Sequence, residues 1–318
     1  MTKYVNNTGI SLSVAVYLAT DHYDYNYDPN YYSATTLIKP IKEIILSKRV
    51  DLENVATDIA TKVQSQSGTA WHSAIEYAWL NNHKQALKDL GYPQRIIDKI
   101  EVNPTDVKPG MIPVYLERRK VKDFNGLKIG GKFDFCADGI LEDFKQTQTY
   151  SYTSGNNDKG YSLQGSIYKW LFPEFITKDY MRVQYLFTDW KLFELKKNPN
   201  TYPPHRQMSV KIDLMSKVET EQYIRNKTDL IKRLRDAPED QIPECTSEDL
   251  WMSDPIWKYY KNPNKTGKST KNFTVYSEAL TRLVKDNNVG ILVKVEGKVK
   301  RCEYCSAFTV CKQKDKYI

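Results

Sequence analysis

The stretch Gly131-Lys132-Phe133-Asp134-Phe135-Cys136-Ala137-Asp138-Gly139-Ile140-Leu141-Glu142-Asp143-Phe144-Lys145 decides the fold. Strand-forming residues stand on both sides of Asp138-Gly139, a dipeptide suited to a tight hairpin turn. Two antiparallel strands are therefore expected, over residues 127–137 and 139–146. Upstream, residues 114–122 alternate like a third strand, joined through Asn125-Gly126, another hairpin dipeptide. Before this meander, Ser33-Ala-Thr-Thr precedes an apolar periodic run over 37–46, read as a capped helix. Residues 51–64 and 68–80 read as two further helices, and 21–33 as a polar, tyrosine-rich loop. On the helix over 68–80, Trp71, Ile75 and Ala78 share one face, while His72 and Glu76, four apart, project from another. After the meander come a helix over 160–171, strands over 180–188 and 206–214, and a long polar helix over 215–235. The order helix, three strands, helix, strand gives an α/β (α+β) class with a mixed central sheet flanked by helices.

The same stretch carries chemistry. Asp134 ends one strand, and Asp143 and Lys145, two apart on the next, face one side. Two neighbouring carboxylates are costly unless a cation lies between them, and hard oxygen ligands suit magnesium or manganese. Such an ion polarises a phosphoryl oxygen and lowers the pKa of a bound water. Lys145 beside it can orient that water or stabilise charge building on a phosphate. Taken alone as a bare D-x-K, Asp143 and Lys145 read more readily as a surface ion pair and Asp134 as a turn residue.

Four segments in order change the balance: Gly68-Thr-Ala-Trp-His72-Ser-Ala-Ile-Glu76, Gly131-Lys-Phe-Asp134, Asp143-Phe-Lys145 and Gln164-Gly-Ser-Ile-Tyr168. Together they resemble the RecB-like branch of the PD-(D/E)XK nucleases, which includes RecB-type nuclease domains, CRISPR-adaptation exonucleases and phage exonucleases. The resemblance covers residues 33–235. It implies a restriction-endonuclease-like core and a divalent-metal-dependent deoxyribonuclease. Asp134 and Asp143 would hold the ion, with the carbonyl of Phe144 and the imidazole of His72 as further ligands. Lys145 would be the catalytic lysine. Gln164 and Tyr168 would face the site, although a packing pair reads as well. The style of the chain is similar to phage exonucleases of recombination or replication, which implies DNA and a recombinase or strand-annealing protein as partners, with oligomers allowed. An endonuclease on the same core and an inactive DNA-binding module are the rival expectations.

The chain has 318 residues, 40% of them hydrophobic and 27% charged, as expected for a globular protein. Its net charge of +8 suits a polyanionic partner without requiring one. The apolar run over 10–19 is too short to span a bilayer and follows no basic segment, so no membrane association and a cytoplasmic location (the host's, if phage-encoded) are expected. After Ala237 the composition changes, giving an expected nuclease domain over 1–236 and a cysteine-rich extension over 237–318. Within it, residues 258–271 read as a lysine-rich loop with Tyr259 and Tyr260, either a strand-tracking surface or a solvated loop. Arg118, Arg119, Lys120 and Lys122 form another basic run. A short helix and a hairpin around Glu296-Gly297 follow.

Of five cysteines, Cys302, Cys305 and Cys311 are clustered, and Cys245 is the candidate fourth ligand. Four thiolates suit a structural soft-metal centre, an iron–sulfur cluster or zinc, and free thiols are the bland alternative. The triplet resembles that of iron–sulfur-bearing RecB-like nucleases, but their first cysteine precedes the core and none stands there here. Cys136 reads as a buried small hydrophobe.

Overall fold

A computed structural model describes residues 4–20, 26–51 and 57–318. Parts of the expected loop over 21–33 and helix over 51–64 therefore lie outside the described residues. Up to the meander, the elements are β1 (Tyr4–Val5), α1 (Leu12–Ala19), β2 (Tyr31–Ser33), α2 (Ala34–Leu37), α3 (Ile41–Ser47), β3 (Thr57–Asp58), α4 (Val63–Asn81), α5 (His83–Asp89), α6 (Gln94–Ile97) and β4 (Ile100–Val102). The meander is β5 (Ile112–Phe124), β6 (Leu127–Ala137) and β7 (Ile140–Thr147). Then come α7 (Thr149–Thr153), α8 (Asp158–Leu171), β8 (Tyr180–Phe187), α9 (Leu192–Lys197), β9 (Gln207–Asp213) and α10 (Lys217–Leu234). The chain ends with β10 (Ile256–Tyr260), β11 (Lys271–Phe273), α11 (Tyr276–Lys285) and β12 (Ile291–Val295). No helix among the described residues is long and apolar enough to cross a membrane.

Two compact units emerge, residues 1–39 with 51–230, and 40–50 with 231–318. This division differs from the expected 1–236 and 237–318, because residues 40–50 group with the C-terminal part. The cause is a break in the helix expected over 37–46. The Ser33 hydroxyl accepts from the Thr36 N–H at 3.1 Å, as an N-cap should. Pro40 then lacks an N–H and cannot continue the helix, so α2 stops and α3 starts afresh. Of the helix expected over 51–64, the described part is β3 and a 3-10 turn over Ile59–Lys62 leading into α4.

The first unit is built on a seven-stranded mixed sheet ordered β4-β5-β6-β7-β8-β9, with β2 also paired to β6. The hairpin turns form as the dipeptides require: Asn125 and Gly126 have φ of 54° and 75°, Asp138 and Gly139 of 51° and 73°. A helical layer from α4 sends Trp71, Ile75 and Trp79 against Val114, Leu116, Phe135 and Phe144. Helix α8 also packs on the sheet, burying Ile167, Tyr168, Trp170 and Leu171.

The side-chain alternation is not continuous. Leu116 packs in the cluster with Trp71 and Trp79, but Arg118, Lys120 and Lys122 lie over the rings of Phe175, Phe172 and Trp170. On β6, Phe133 meets Phe172 at 4.9 Å while Phe135 meets Trp79 at 5.1 Å. A regular strand keeps residues two apart on one face. Both strands therefore change face between these positions, at Glu117 and Asp134. Glu117 has φ of 51°, uncommon for a residue with a side chain. The ladder pairs Leu116 with Phe135 and Arg118 with Phe133, which leaves Glu117 opposite Asp134.

In the second unit, β11-β10-β12 form an antiparallel sheet with α11 against it. Its core is Tyr259, Phe273 and Ala279, with Trp257, Leu283 and Leu292 around them. Two expectations fail here. The basic loop over 258–271 starts inside β10, and Tyr259 is 0% exposed, its hydroxyl donating to Asp286 Oδ2 at 2.7 Å. Tyr260 is also buried, so neither ring is free to stack on a base. No hairpin turns at Glu296-Gly297, because β12 pairs with β10 instead. Gly297 serves a close approach: a Cβ there would stand 1.7 Å from the Ser253 carbonyl oxygen.

Candidate active site

Strands β6 and β7 pair only over Phe135–Glu142, Cys136–Leu141 and Ala137–Ile140. The next positions along are Asp134 and Asp143, and there the strands part. Strand β7 goes on to pair with β8 as far as Thr147. The opened slot leaves the Phe144 amide without a β6 partner, and it donates to Asp134 Oδ2 at 3.1 Å. Sheet geometry itself thus brings two carboxylates to one mouth.

Lys145 follows Asp143 by two residues, and its Nζ stands 2.6 Å from Asp143 Oδ2. That oxygen is buried and accepts no well-formed hydrogen bond, so the contact with Lys145 is an ion pair of poor direction. From α4, His72 Nε2 donates to the Phe144 carbonyl at 2.9 Å, and Nδ1 lies 3.4 Å from Asp134 Oδ1. From α8, Gln164 Nε2 reaches both Asp143 Oδ1 at 3.3 Å and the Tyr168 hydroxyl at 3.1 Å. The Tyr168 ring lies where a Cβ on Gly131 would sit, at 2.8 Å, which explains a glycine three residues before Asp134. The structure therefore brings together His72, Asp134, Asp143, Phe144, Lys145, Gln164 and Tyr168.

Charge in this slot is strongly perturbed. Burial pushes the Asp143 carboxyl up, and Asp134 adds to that against the pull of Lys145. Burial also works against Asp134 ionising, but the hydrogen bond and charge of His72, then Lys145, hold it below the ordinary value. For His72, burial acts downward and is outweighed by Asp134, the Phe144 carbonyl and Asp143, which hold it above 6.5. Burial acts downward on Lys145 too, and Asp143 more than offsets it. A divalent cation between Asp134 and Asp143 would relieve this crowding.

Three neighbours were missed by sequence reasoning. Glu117 joins His72 and Asp134 in a group whose donor atoms all lie within 4.8 Å of one another. Lys132, on β6, pairs with Glu117. The Tyr161 ring lies beneath Lys145, its centroid 5.6 Å from Nζ. The i, i+4 spacing of Tyr161 with Gln164's neighbour Gly165 carried no signal, and Glu117 was hidden by the change of face in β5. The basic run beside it is engaged: Lys120 pairs with Glu174 at 2.8 Å, and Lys122 stands 4.0 Å over the Trp170 ring.

In the second unit, Cys245, Cys302, Cys305 and Cys311 line one cavity with Lys42, Glu43, Arg301 and Lys314. Gln313 laces its wall, accepting from the Cys245 N–H and donating to the Cys245 carbonyl, each at 2.9 Å. Arg301 forks onto buried Glu43 at 2.8 and 3.2 Å. Burial, Asp249 and the facing thiols push Cys245 up to about 12, and burial likewise raises Cys302 and Cys305. Cys136 lies apart from them, fully buried on β6, its thiol pushed up to about 12 by burial.

No family model matches the chain, and no curated protein matches it. Among solved structures, the crystal structure of SSO0001 is similar at a TM-score of 0.42 and 14% identity, over 72% of this chain and 89% of that one. A phage related exonuclease from Haemophilus somnus 129PT is similar at a TM-score of 0.28 and 14% identity, over 64% of this chain and 96% of that one. Both likenesses are too loose to bear on activity, so the functional reading rests on the geometry of the slot.

Proposed function

We propose that this chain is a divalent-metal-dependent deoxyribonuclease with a RecB-like PD-(D/E)XK core, acting as an exonuclease in phage recombination or replication. The observation that carries the reading is the convergence of Asp134, Asp143 and Lys145 where β6 and β7 part, with His72 3.4 Å from Asp134. Asp134, Asp143, the Phe144 carbonyl and His72 would hold Mg2+ or Mn2+, a donor set of hard oxygens plus one imidazole that tolerates both. When bound, the ion supplies Lewis acidity and a more acidic water. Lys145 stabilises the charge that builds on the phosphate during in-line attack. Gln164 fixes the orientation of Asp143, and Tyr168 fixes Gln164. DNA is the substrate, a recombinase or strand-annealing protein the partner, and the cytoplasm the place of action.

The cysteine cavity is the second part of the proposal, a structural centre in the C-terminal extension. The four thiols line one cavity, and four thiolates suit either zinc or an iron–sulfur cluster as a structural metal, with no open position for catalysis.

The test is digestion of end-labelled linear DNA beside a covalently closed circle, with Mg2+ or Mn2+, by wild type and Lys145→Ala. Wild type should release the label, and the variant should be slower by about 10²–10³-fold. Cutting of the circle would turn the reading to an endonuclease on the same core. Binding without any cleavage would overturn the catalytic reading and leave a DNA-binding module.

A further inference from the structure

We infer that Glu117 is a further metal ligand of the slot, leaving Lys132 to join His72 and Asp134 around the divalent ion. The inference rests on the nuclease reading only in taking Asp134 to hold an ion.

Geometry supports it first. Glu117 stands opposite Asp134 across β5 and β6, at the position where both strands change face. Strict alternation would not carry residues 116 and 118 to different faces; the left-handed backbone at Glu117 does. The result is a carboxylate, an imidazole and a second carboxylate within 4.8 Å of one another, on three different elements. Burial adds to this. The Glu117 and Asp134 side chains keep only 19% and 17% exposure, so two neighbouring carboxylates share a sheltered slot whose crowding a divalent cation would relieve.

The present partner of Glu117 is easily displaced. Lys132 keeps 42% of its side chain exposed, against 19% for Glu117. A half-exposed lysine pair contributes little, whereas a divalent ion in a carboxylate and imidazole cage binds through several charge-assisted contacts. Lys132 therefore acts as a stand-in cation that occupies the carboxylate until the ion arrives.

Manganese titration without DNA, followed by the electron paramagnetic resonance of free Mn2+, tests this. Glu117→Gln should weaken Mn2+ binding by about tenfold or more, and Lys132→Met should tighten it. Binding by Glu117→Gln within about twofold of wild type overturns the inference. If Glu117→Gln fails to fold in a thermal melt, the double variant Glu117→Gln/Lys132→Met, which leaves no lone charge of the pair, decides: binding weakened about tenfold or more supports the role, and binding within about twofold of wild type overturns it. Asp134→Asn separates this from the parent reading. If Asp134→Asn abolishes binding while Glu117→Gln does not, only the Glu117 inference fails. If neither Asp134→Asn nor Glu117→Gln alters binding, the metal-site reading fails as well.

Discussion

The acidic slot and the cysteine cavity both gather metal-ligating side chains, but by opposite means. Every donor of the slot stands on regular structure: Glu117 on β5, Asp134 on β6, Asp143 and Phe144 on β7, His72 on α4. Protein groups already answer its charge, through Lys145, Lys132 and the Phe144 amide. In the cavity, Cys302 lies in a 3-10 turn over Arg301–Tyr304 and the other three cysteines lie in irregular backbone. Burial favours the neutral thiol at Cys245, Cys302 and Cys305. A slot built on strands can hold its shape while empty. A pocket built on loops would depend on the proposed metal, because metal-binding energy there would be folding energy.

The largest expected effect would break or establish that contrast. If the cavity holds the proposed structural metal, stripping it should cost the second unit on the order of 10 kcal/mol of binding energy, and Cys302→Ser should weaken it in the same direction. Hydrogen exchange over residues 231–318 should accelerate strongly, while β5, β6 and β7 keep their protection. Equal protection in both units after complete metal removal would show that the loops are self-supporting, and the contrast would be false.

A smaller effect sharpens the claim that close packing holds the slot. Gly131→Ala would put a Cβ 2.8 Å from Tyr168 and 2.9 Å from Leu171. Over-packing of this kind costs about 1–3 kcal/mol, and a displaced Tyr168 would release Gln164 from Asp143. Gly68→Ala is the control. It lies in α4 with nothing within 4 Å of its Cβ, so it should be neutral or stabilising by up to about 1 kcal/mol. Urea unfolding of both variants gives the answer, and equal midpoints would remove packing as the reason for the glycine.

Much of this was legible. Asn125-Gly126 and Asp138-Gly139 placed the meander, because positive φ at two successive residues leaves few alternatives to a hairpin. Once the strands were placed, Asp143 and Lys145 fell to one side by parity and Asp134 to the shared edge, while His72 and Gln164 were named by the resemblance to a nuclease family and not by spacing. What parity cannot show is its own failure. The change of face at Glu117 hid that carboxylate and turned Arg118, Lys120 and Lys122 onto aromatic rings instead of solvent. Tyr259 was misread for a similar reason: a basic, tyrosine-bearing segment looks solvated until β11 and β12 pair on either side of it. Pro40 was in plain view, yet its consequence, assigning α3 to the second unit, depends on Arg301 reaching Glu43 from 258 residues away.

The smallest effect separates the two regions by proton linkage. The His72 pKa is raised above 6.5 in the ion-free protein, as Asp134, the Phe144 carbonyl and Asp143 overcome burial. A raised folded-state value means that the His72 contribution to stability is complete below about 6.5 and is lost as pH rises through the folded value. The unfolding midpoint of wild type relative to His72→Gln should therefore fall between pH 6 and 8, by on the order of 1 kcal/mol or less for so partly exposed a pair. Mn2+ needs the neutral imidazole, so its affinity should rise across the same window and then level off. A metal held by the cysteine cavity, as proposed, would behave differently. With Cys245 pushed up to about 12, its thiol would have to lose its proton on binding, and affinity there should go on rising well beyond pH 8. Urea midpoints without added metal and Mn2+ affinities over one pH series measure both slopes. A midpoint difference independent of pH would mean that Asp134 does not hold a proton on His72, and that the slot, like the cavity, waits for its ion to organise it.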